Sequence, residues 1–515
     1  MLFLGFVDWI ILFATAIALL YLYASRHRNY WKNQNVVHEK YSLVLGPISR
    51  FFFKPFHMMN HERYVKYGRL FGKLRKNSLI VNIVIHTLVR LLLLQRFMVT
   101  SERRRVLVGS DWKDSYRRTA QQSVKARFLL QMYPRINDSI TATVTFLKEA
   151  AEKDTEVDIR TLFSNYALDA IARCAFGTKM ESHLQEVDDF AAKNKSFFAA
   201  PQVLSGVISL LLPGLAKLLQ LDALKSDRLP YFMALSESII RERKHQENRQ
   251  EDFLQLMMDV QEETSSSGAD SQTDDRLFNP DSGSKAFSMG RRRALTKSEA
   301  LAQCIMFFLA GRDTSATLLA HAIYMLALHP EAQAKLRKEA DECFEKHGEE
   351  LTMDVVSKLK YVHGVVSETL RMLPPATRLE RLAAEDYVLG DTGIKVPKGC
   401  IIAIPIYSMH HDPEYFPDPF TFKPERQETI RTNIESIRPY TYLPFGAGPR
   451  NCIGNRFALE AIKIALLHVV RSVEFYRSQN TRVPLEFLFR LRLLQAKDVT
   501  VGIRKRPVQV AETGL

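Results

Sequence analysis

Cys452 lies in a glycine-rich loop whose residue types and spacing could do chemistry. The loop runs from Phe445 to Gly454 with the letters FGAGPRNCIG and leads into a predicted helix. A cysteine at a helix N-terminus has its thiolate stabilised by the dipole and by free N–H groups, which makes it a metal ligand or a nucleophile. A nucleophile needs a histidine base, and none lies nearby in the sequence. Gly454 leaves room for a flat, bulky group against the backbone, and Arg450 could meet a carboxylate on that group.

This segment resembles the haem-binding loop of the cytochrome P450 superfamily, Phe-x-x-Gly-x-Arg-x-Cys-x-Gly, at every fixed position. The resemblance implies haem b as the cofactor and Cys452 as the proximal ligand of its iron. It also implies that Phe445, Gly446, Arg450 and Gly454 contribute to cofactor binding. A thiolate ligand pushes electron density towards iron-bound oxygen and favours O–O cleavage.

A second motif stands in a long predicted helix over 298–329. Ala310-Gly-Arg-Asp-Thr314 resembles the Ala-Gly-x-Asp/Glu-Thr segment of the family's distal helix. The resemblance implies that small Ala310 and Gly311 let the helix lie close to the cofactor. It also implies that Thr314 holds a water and that Asp313 relays protons, so these two are the expected catalytic residues.

A third motif, Glu368-Thr-Leu-Arg371, places two opposite charges on one helix face at i, i+3 spacing. The resemblance couples this pair to Arg426 in a buried triad that fixes the core and is structural rather than catalytic. The family's usual Phe after that arginine is Gln427 here.

Haem carboxylates need cations, and by position Arg450, Arg381 and Trp112 match the family's propionate partners. The Trp-x-x-x-Arg pattern is altered, because Tyr116 stands where the family has arginine. Tyr116 can donate one hydrogen bond but carries no charge, and Arg117 points about 100° away on a helix.

The composition of the 515 residues excludes several other classes of protein. The hydrophobic content is 46%, and the five cysteines form no CxxC pair, which argues against a zinc site or a disulfide scaffold. No GxGxxG or Walker loop is present. Apolar spacing predicts helices over 252–263, 298–329, 330–347 and 359–373, and β-like segments over 78–86 and 400–406. The fold is therefore expected to be mainly α with a minor β region, and the resemblance implies the cytochrome P450 fold.

The N-terminus predicts a membrane anchor, because Leu2–Tyr23 is an apolar run of about 20 residues. Basic residues follow the run and none precedes it, so the positive-inside rule leaves the bulk of the chain in the cytosol. A cleaved signal peptide is the alternative, although the positive n-region is missing. The expected organisation is a transmembrane signal anchor (1–25), a basic flank with a hinge (26–50) and a catalytic domain (51–515). Residues 264–293 are expected to form a flexible surface insertion, and the broken apolar stretch 197–221 is expected to dip into the membrane surface.

The quoted segments, with DFLQLMMD and YVHGVVSETLRMLPP, most resemble the microsomal drug-metabolising group of the family, clan 3, which includes thromboxane synthase. The resemblance implies a monooxygenase of lipophilic small molecules at the endoplasmic reticulum membrane. NADPH-cytochrome P450 reductase is the expected electron donor, with cytochrome b5 as an additional partner. The net charge of +14 suits an acidic partner surface, and no basic stripe or motif indicates nucleic acid.

Three alternatives stay open at this stage. Arg312 and Arg378 could bind a substrate carboxylate, which would make the protein a fatty-acid hydroxylase, although Arg312 is predicted to face away from the haem. Met306, Phe307 and Ala310 share a helical face with Thr314 and predict a mostly apolar distal wall. The second alternative is a haem-thiolate isomerase of the thromboxane synthase type. The third is a non-catalytic haem or ligand carrier.

Overall fold

The computed structural model describes residues 27–39, 54–75, 78–84, 98–99, 126–179, 237–243, 297–426, 438–488 and 493–506, with single positions within 11–22 and 252–255. These residues are mainly helical with a minor β region, as the sequence predicts. The chain divides into two compact units. The first contains Met1–Arg104, Thr143–Ser164 and Thr314–Leu515, and the second contains Arg105–Ala142 and Asn165–Asp313.

The helices supply most of the secondary structure and are numbered in chain order. They are α1 (Tyr30–Asn33), α2 (Phe56–Tyr67), α3 (Ala126–Glu152), α4 (Ile159–Phe176), α5 (Lys297–Leu328), α6 (Pro330–His347), α7 (Met353–Lys358), α8 (Lys360–Met372), α9 (Ile406–His410) and α10 (Asn455–Ser472).

The strands form one five-stranded sheet and two smaller ones. They are β1 (Leu70–Arg75), β2 (Ser78–Ile83), β3 (Met98–Val99), β4 (Glu156–Asp158), β5 (Leu379–Ala383), β6 (Tyr387–Val388), β7 (Lys395–Val396), β8 (Ile401–Ile404), β9 (Val473–Tyr476) and β10 (Thr500–Lys505). The large sheet has the order β1-β2-β8-β5-β3, and the others are β4-β10-β9 and β6-β7. Among the strands of the described residues, β2 and β8 pair in parallel and the other pairs are antiparallel. The alternating positions Val81, Ile83, Ile402 and Ile404 of these two strands are fully buried.

The predicted long elements agree closely with the structure. The helix predicted over 330–347 has those bounds and begins with Pro330 at its first position. It is followed by the capping residue Gly348, whose φ is +76°. The predicted strand over 400–406 stops at Ile404. The predicted C-terminal end of this strand was wrong, because Ile406 is the first residue of α9, which follows Pro405.

Residues 27–39 belong to the core of the first unit, whereas the sequence assigned them to a basic flank. Trp31 is 2% exposed and its Nε1 donates a hydrogen bond to the Lys73 carbonyl oxygen at 3.2 Å. Its ring lies so close to β1 that a Cβ on Gly72 would approach it to 2.3 Å. The Gly72 N–H also donates to the Val37 carbonyl oxygen at 2.8 Å. One buried aromatic side chain among charged neighbours gives no periodic signal, so composition alone missed this packing.

Several predicted segments lie outside the described residues: most of the anchor (1–25), the hinge at Gly46-Pro47, the apolar stretch 197–221, most of the helix 252–263 and the insertion 264–293. In the described part of the chain, no helix combines the length and the apolar character needed to cross a membrane.

Buried histidines pack with aromatic rings in the first unit. The His57 ring meets Tyr407 and Phe487 edge-on, with centroids 4.8 Å and 4.9 Å apart. His411 stacks on Tyr407 at 4.1 Å, and His321 lies 6.1 Å from Phe487. Burial lowers the pKa of His57 and of His321 to about 4, and the pKa of His411 to about 3. These rings are therefore neutral near pH 7, as a packed apolar cluster requires.

The buried histidines predict that the folded protein loses stability as the pH falls. Replacement of one of them should reduce this loss. Below pH 6.5 the unfolded chain protonates His57, whereas the folded protein does so only near its pKa of about 4. The free energy of unfolding therefore falls as the pH drops through this window. His57→Phe should flatten the fall by up to about 1.4 kcal/mol per pH unit. Urea unfolding at several pH values checks this, with Tyr407→Phe as the control that keeps the wild-type slope. An equal slope in His57→Phe would contradict the assignment.

Candidate functional site

The Cys452 loop is shaped by its backbone hydrogen bonds and by two glycines. The Cys452 N–H donates to the Phe445 carbonyl oxygen at 2.8 Å, and the Gly446 N–H donates to that of Leu443 at 3.1 Å. Gly446 and Gly448 have φ values of +71° and +74°, in the left-handed region that favours glycine. The loop therefore holds the backbone of Cys452 in place just before α10.

Cys452 differs from the other cysteines in its exposure. Cys174, Cys304, Cys343 and Cys400 are buried, and Cys452 is exposed. Burial raises the pKa of Cys174, Cys304 and Cys400 to about 12. The four buried thiols are packing residues, which leaves Cys452 as the thiol that a ligand can reach.

The polypeptide alone does not favour a thiolate at Cys452. Desolvation by the surrounding protein raises the pKa of this thiol, although it is exposed on one side, and the Gly454 backbone N–H only partly opposes the rise. The Gly454 N–H acts in the direction that the sequence predicts for the helix N-terminus, and burial opposes it. A metal cation bound to the sulfur would add stabilisation, because coordination deprotonates a thiol.

The two flanking glycines of the Cys452 loop differ in the space around them. A Cβ built on Gly454 would meet no atom within 4 Å, so the backbone there has open space on the side where the sequence predicts a flat group. A Cβ on Gly446 would make only an ordinary contact of 3.5 Å with Leu379. Glycine is thus favoured at position 446 by its positive φ, whereas at position 454 the backbone has open space beside it.

Two of the predicted carboxylate partners lie in the described part of the first unit. Arg381 is buried on β5, and its Nη1 donates to the Glu380 carbonyl oxygen at 3.1 Å. Arg450 is partly exposed in the short 3₁₀ turn of the Cys452 loop. Trp112 lies outside the described residues, together with Tyr116 and Arg117.

The predicted distal motif lies in the unbroken helix α5. Ala310 is exposed, but a Cβ on Gly311 would come within 2.6 Å of the Ile171 Cδ1 atom on α4. A side chain at position 311 would therefore have to displace this terminal methyl group, a packing contact inside the second unit that the sequence did not predict. Arg312 and Asp313 form an ion pair at 3.2 Å with largely buried side chains. Thr314 follows on the same helix and is partly buried.

The predicted triad forms a network of charges in which Glu368 and Arg371 are fully buried and Arg426 is partly buried. Glu368 and Arg371 are 0% exposed and form two parallel hydrogen bonds of 2.8 and 2.9 Å. The Arg426 Nε donates to Glu368 Oε1 at 3.2 Å. Arg371 Nη1 also donates to the carbonyl oxygens of His410, at 2.9 Å, and of Pro419, at 2.7 Å. Every charge therefore has a partner, which is the condition under which burial of charge is tolerated.

The sequence did not predict the partners of two polar residues in the first unit, Arg378 and His410. Arg378 pairs with Glu380 at 3.0 Å, and both side chains are largely buried. The Nε2 atom of buried His410 accepts a hydrogen bond from the Leu443 N–H at 2.9 Å. The Arg-x-Glu spacing on one strand face was a usable signal for the first pair. No sequence pattern indicates which backbone group a lone histidine will meet.

Comparison with known proteins identifies the family of the chain. The sequence model of the cytochrome P450 family matches residues 16–499, so the chain belongs to the cytochrome P450 family and has its mainly helical fold. It is a P450 monooxygenase with haem b as cofactor. Among its relatives are cytochrome P450 3A2 of Rattus norvegicus, 30% identical over 97% of this chain and 96% of the relative. Cytochrome P450 3A5 of Homo sapiens is 31% identical over the same shares of the two chains.

Removal of the Glu368 carboxylate should destabilise the protein strongly. Glu368→Ala leaves Arg371 buried without its counter-charge, and breaking such a pair costs about 3–5 kcal/mol. We expect little or no haem-loaded protein, measured as haem content per purified chain together with the free energy of unfolding.

The matched control is Asp354→Ala, which removes the carboxylate of an exposed i, i+4 pair with Lys358. Such surface pairs contribute about 0.3–0.5 kcal/mol, so the control should load haem normally. Normal haem loading in Glu368→Ala would contradict the structural role of the triad.

Proposed function

We propose that Cys452 is the proximal iron ligand of a monooxygenase that oxidises neutral, lipophilic small molecules such as xenobiotics or steroids. The observation that carries the proposal is the loop itself. Cys452 is the accessible thiol among five, its N–H is fixed to Phe445, and the adjacent Gly454 has open space beside it. Arg450 and Arg381 are the cations that would meet the haem carboxylates.

The bound haem supplies activation of O₂ and insertion of one oxygen atom into the substrate. The chain's own residues have three tasks around it. The Cys452 sulfur ligates the iron, Arg450 and Arg381 hold the cofactor by its carboxylates, and the residues of α5 manage protons and exclude water.

Proton delivery is assigned to Asp313 and Thr314. The Asp313 carboxylate is held by the Arg312 guanidinium, which orients it. The Thr314 hydroxyl can hold one water by donating or accepting a hydrogen bond. This acid and alcohol pair supports monooxygenation over the isomerase alternative, which activates no oxygen.

The charge balance supports neutral substrates. Arg378 pairs with Glu380 and its guanidinium also lies 5.6 Å from the Phe56 ring centroid, and Arg312 pairs with Asp313. Both arginines that could bind a substrate carboxylate therefore already have a carboxylate partner. Met306 and Phe307 on α5 are only partly buried and add apolar surface.

Electrons come from NADPH-cytochrome P450 reductase in this proposal, and cytochrome b5 is a further partner. The net charge of +14 supports docking of an acidic protein. The apolar N-terminus with basic residues after it supports a place in the endoplasmic reticulum membrane, with the catalytic domain on the cytosolic side.

Cys452→Ala tests the ligand assignment. Without the thiolate, the reduced carbon monoxide complex should lose its long-wavelength Soret band completely, while the far-ultraviolet circular dichroism stays that of a folded protein. Cys343→Ala is the matched control, since it removes a buried thiol of α6 and should keep the band. Persistence of the band in Cys452→Ala would refute the assignment.

Binding spectra test the substrate class. Steroids and neutral insecticide-like molecules should give type I spectra with dissociation constants at least about tenfold lower than those of fatty acids. The reason is that Arg312 and Arg378 already pair with carboxylates and would not compensate the desolvation of a substrate carboxylate. Glu380→Gln frees the charge of Arg378 and should improve fatty-acid binding. Tight fatty-acid binding by the wild type that Arg378→Leu abolishes would favour the hydroxylase alternative.

Turnover separates the remaining alternatives. A monooxygenase consumes O₂ and NADPH in proportion to substrate when the reductase is present. An isomerase converts substrate without NADPH, and a carrier binds without consuming oxygen.

A further inference from the structure

His410 connects the buried charge network to the loop that carries Cys452. It is the last residue of α9 and is 0% exposed. Its main-chain carbonyl accepts the Arg371 Nη1 hydrogen bond at 2.9 Å, and its ring Nε2 accepts the Leu443 N–H at 2.9 Å. His410 is therefore hydrogen-bonded both to Arg371 of the triad and to Leu443, which shortly precedes the Cys452 loop.

The His410 ring is neutral, so its Nε2 atom can accept a hydrogen bond. Burial lowers its pKa to about 3, with the neighbouring His411 and Arg371 adding to the effect. Because Nε2 accepts from Leu443, the single proton of the neutral ring belongs to Nδ1. This Nδ1 makes no hydrogen bond to a described residue.

Leu443 begins the hydrogen-bonded path to Cys452. Its own carbonyl accepts the Gly446 N–H at 3.1 Å, and the Phe445 carbonyl between them accepts the Cys452 N–H at 2.8 Å. The preceding residue, Tyr442, is fixed as well, since its hydroxyl donates to the Ser367 carbonyl oxygen at 3.0 Å. Both anchors of this segment therefore lead back to α8 and the residues bonded to it.

We propose that His410 is a positioning residue for Cys452: its neutral ring fixes the Leu443 backbone, and through it the loop that presents the sulfur. The inference rests on the proposed role of Cys452 as the haem ligand. Leu443 is 4% exposed, so loss of the acceptor leaves its buried N–H without this bond, and buried N–H groups are rarely left so. The loop then gains freedom to move Cys452 off the iron.

The test compares two polar replacements of different length. In His410→Gln the side-chain oxygen can reach the position of Nε2 and accept from Leu443, whereas in His410→Asn it reaches only the position of Nδ1. His411→Asn is the control, because His411 is also buried but its Nδ1 bonds within the turn to the Tyr407 carbonyl. The readout is the ratio of the short-wavelength to the long-wavelength Soret band in the reduced carbon monoxide complex, with urea unfolding midpoints measured in parallel.

We expect His410→Asn to raise this ratio about tenfold, the effect of one buried N–H left without its partner, and His410→Gln and His411→Asn to keep it near the wild-type value. A ratio that stays at the wild-type value in His410→Asn, or that merely follows the unfolding midpoints across all variants, would overturn the proposal. If the wild type itself lacked the long-wavelength band, the ligand role of Cys452 would fail first, so the two failures are distinguishable.

Discussion

The buried ion pair between Glu368 and Arg371 is the interaction on which the rest of the site depends. Two charges without solvent cost several kcal/mol each unless every donor and acceptor is matched. Arg371 meets that condition only when the end of α9 and the segment around Pro419 supply their carbonyls, and Glu368 only when Arg426 approaches. The network therefore selects one arrangement of segments that are far apart in the sequence.

That arrangement fixes the loop in which the chemistry is held. His410 and Ser367 bind the residues at the start of the loop, and the loop's own backbone bonds carry the constraint to Cys452. The same protein that orders the sulfur also desolvates it and raises the pKa of its thiol. In the proposed site, bound iron would favour the ionised form of this sulfur, which would couple cofactor binding to the chemistry of the site.

The sequence was sufficient where local pattern decides structure. The long helices followed from apolar periodicity, and the Cys452 loop from a long motif with glycines at positions that need a positive φ. It was insufficient where a residue's role comes from a distant neighbour. The Ile171 side chain packs against Gly311, and Trp31 is buried because β1 lies beneath it. The acceptor role of His410 depends on the Leu443 N–H, which no local pattern encodes.

The central claim is that Cys452 is the sulfur ligand of the iron in the folded, haem-loaded protein. X-ray absorption at the iron edge tests this directly on the purified wild type and on Cys452→Ala reconstituted with haem. The account predicts one sulfur neighbour of iron in the wild type and none in the variant. A wild-type iron with only nitrogen and oxygen neighbours, or a sulfur neighbour that persists in the variant, would contradict it.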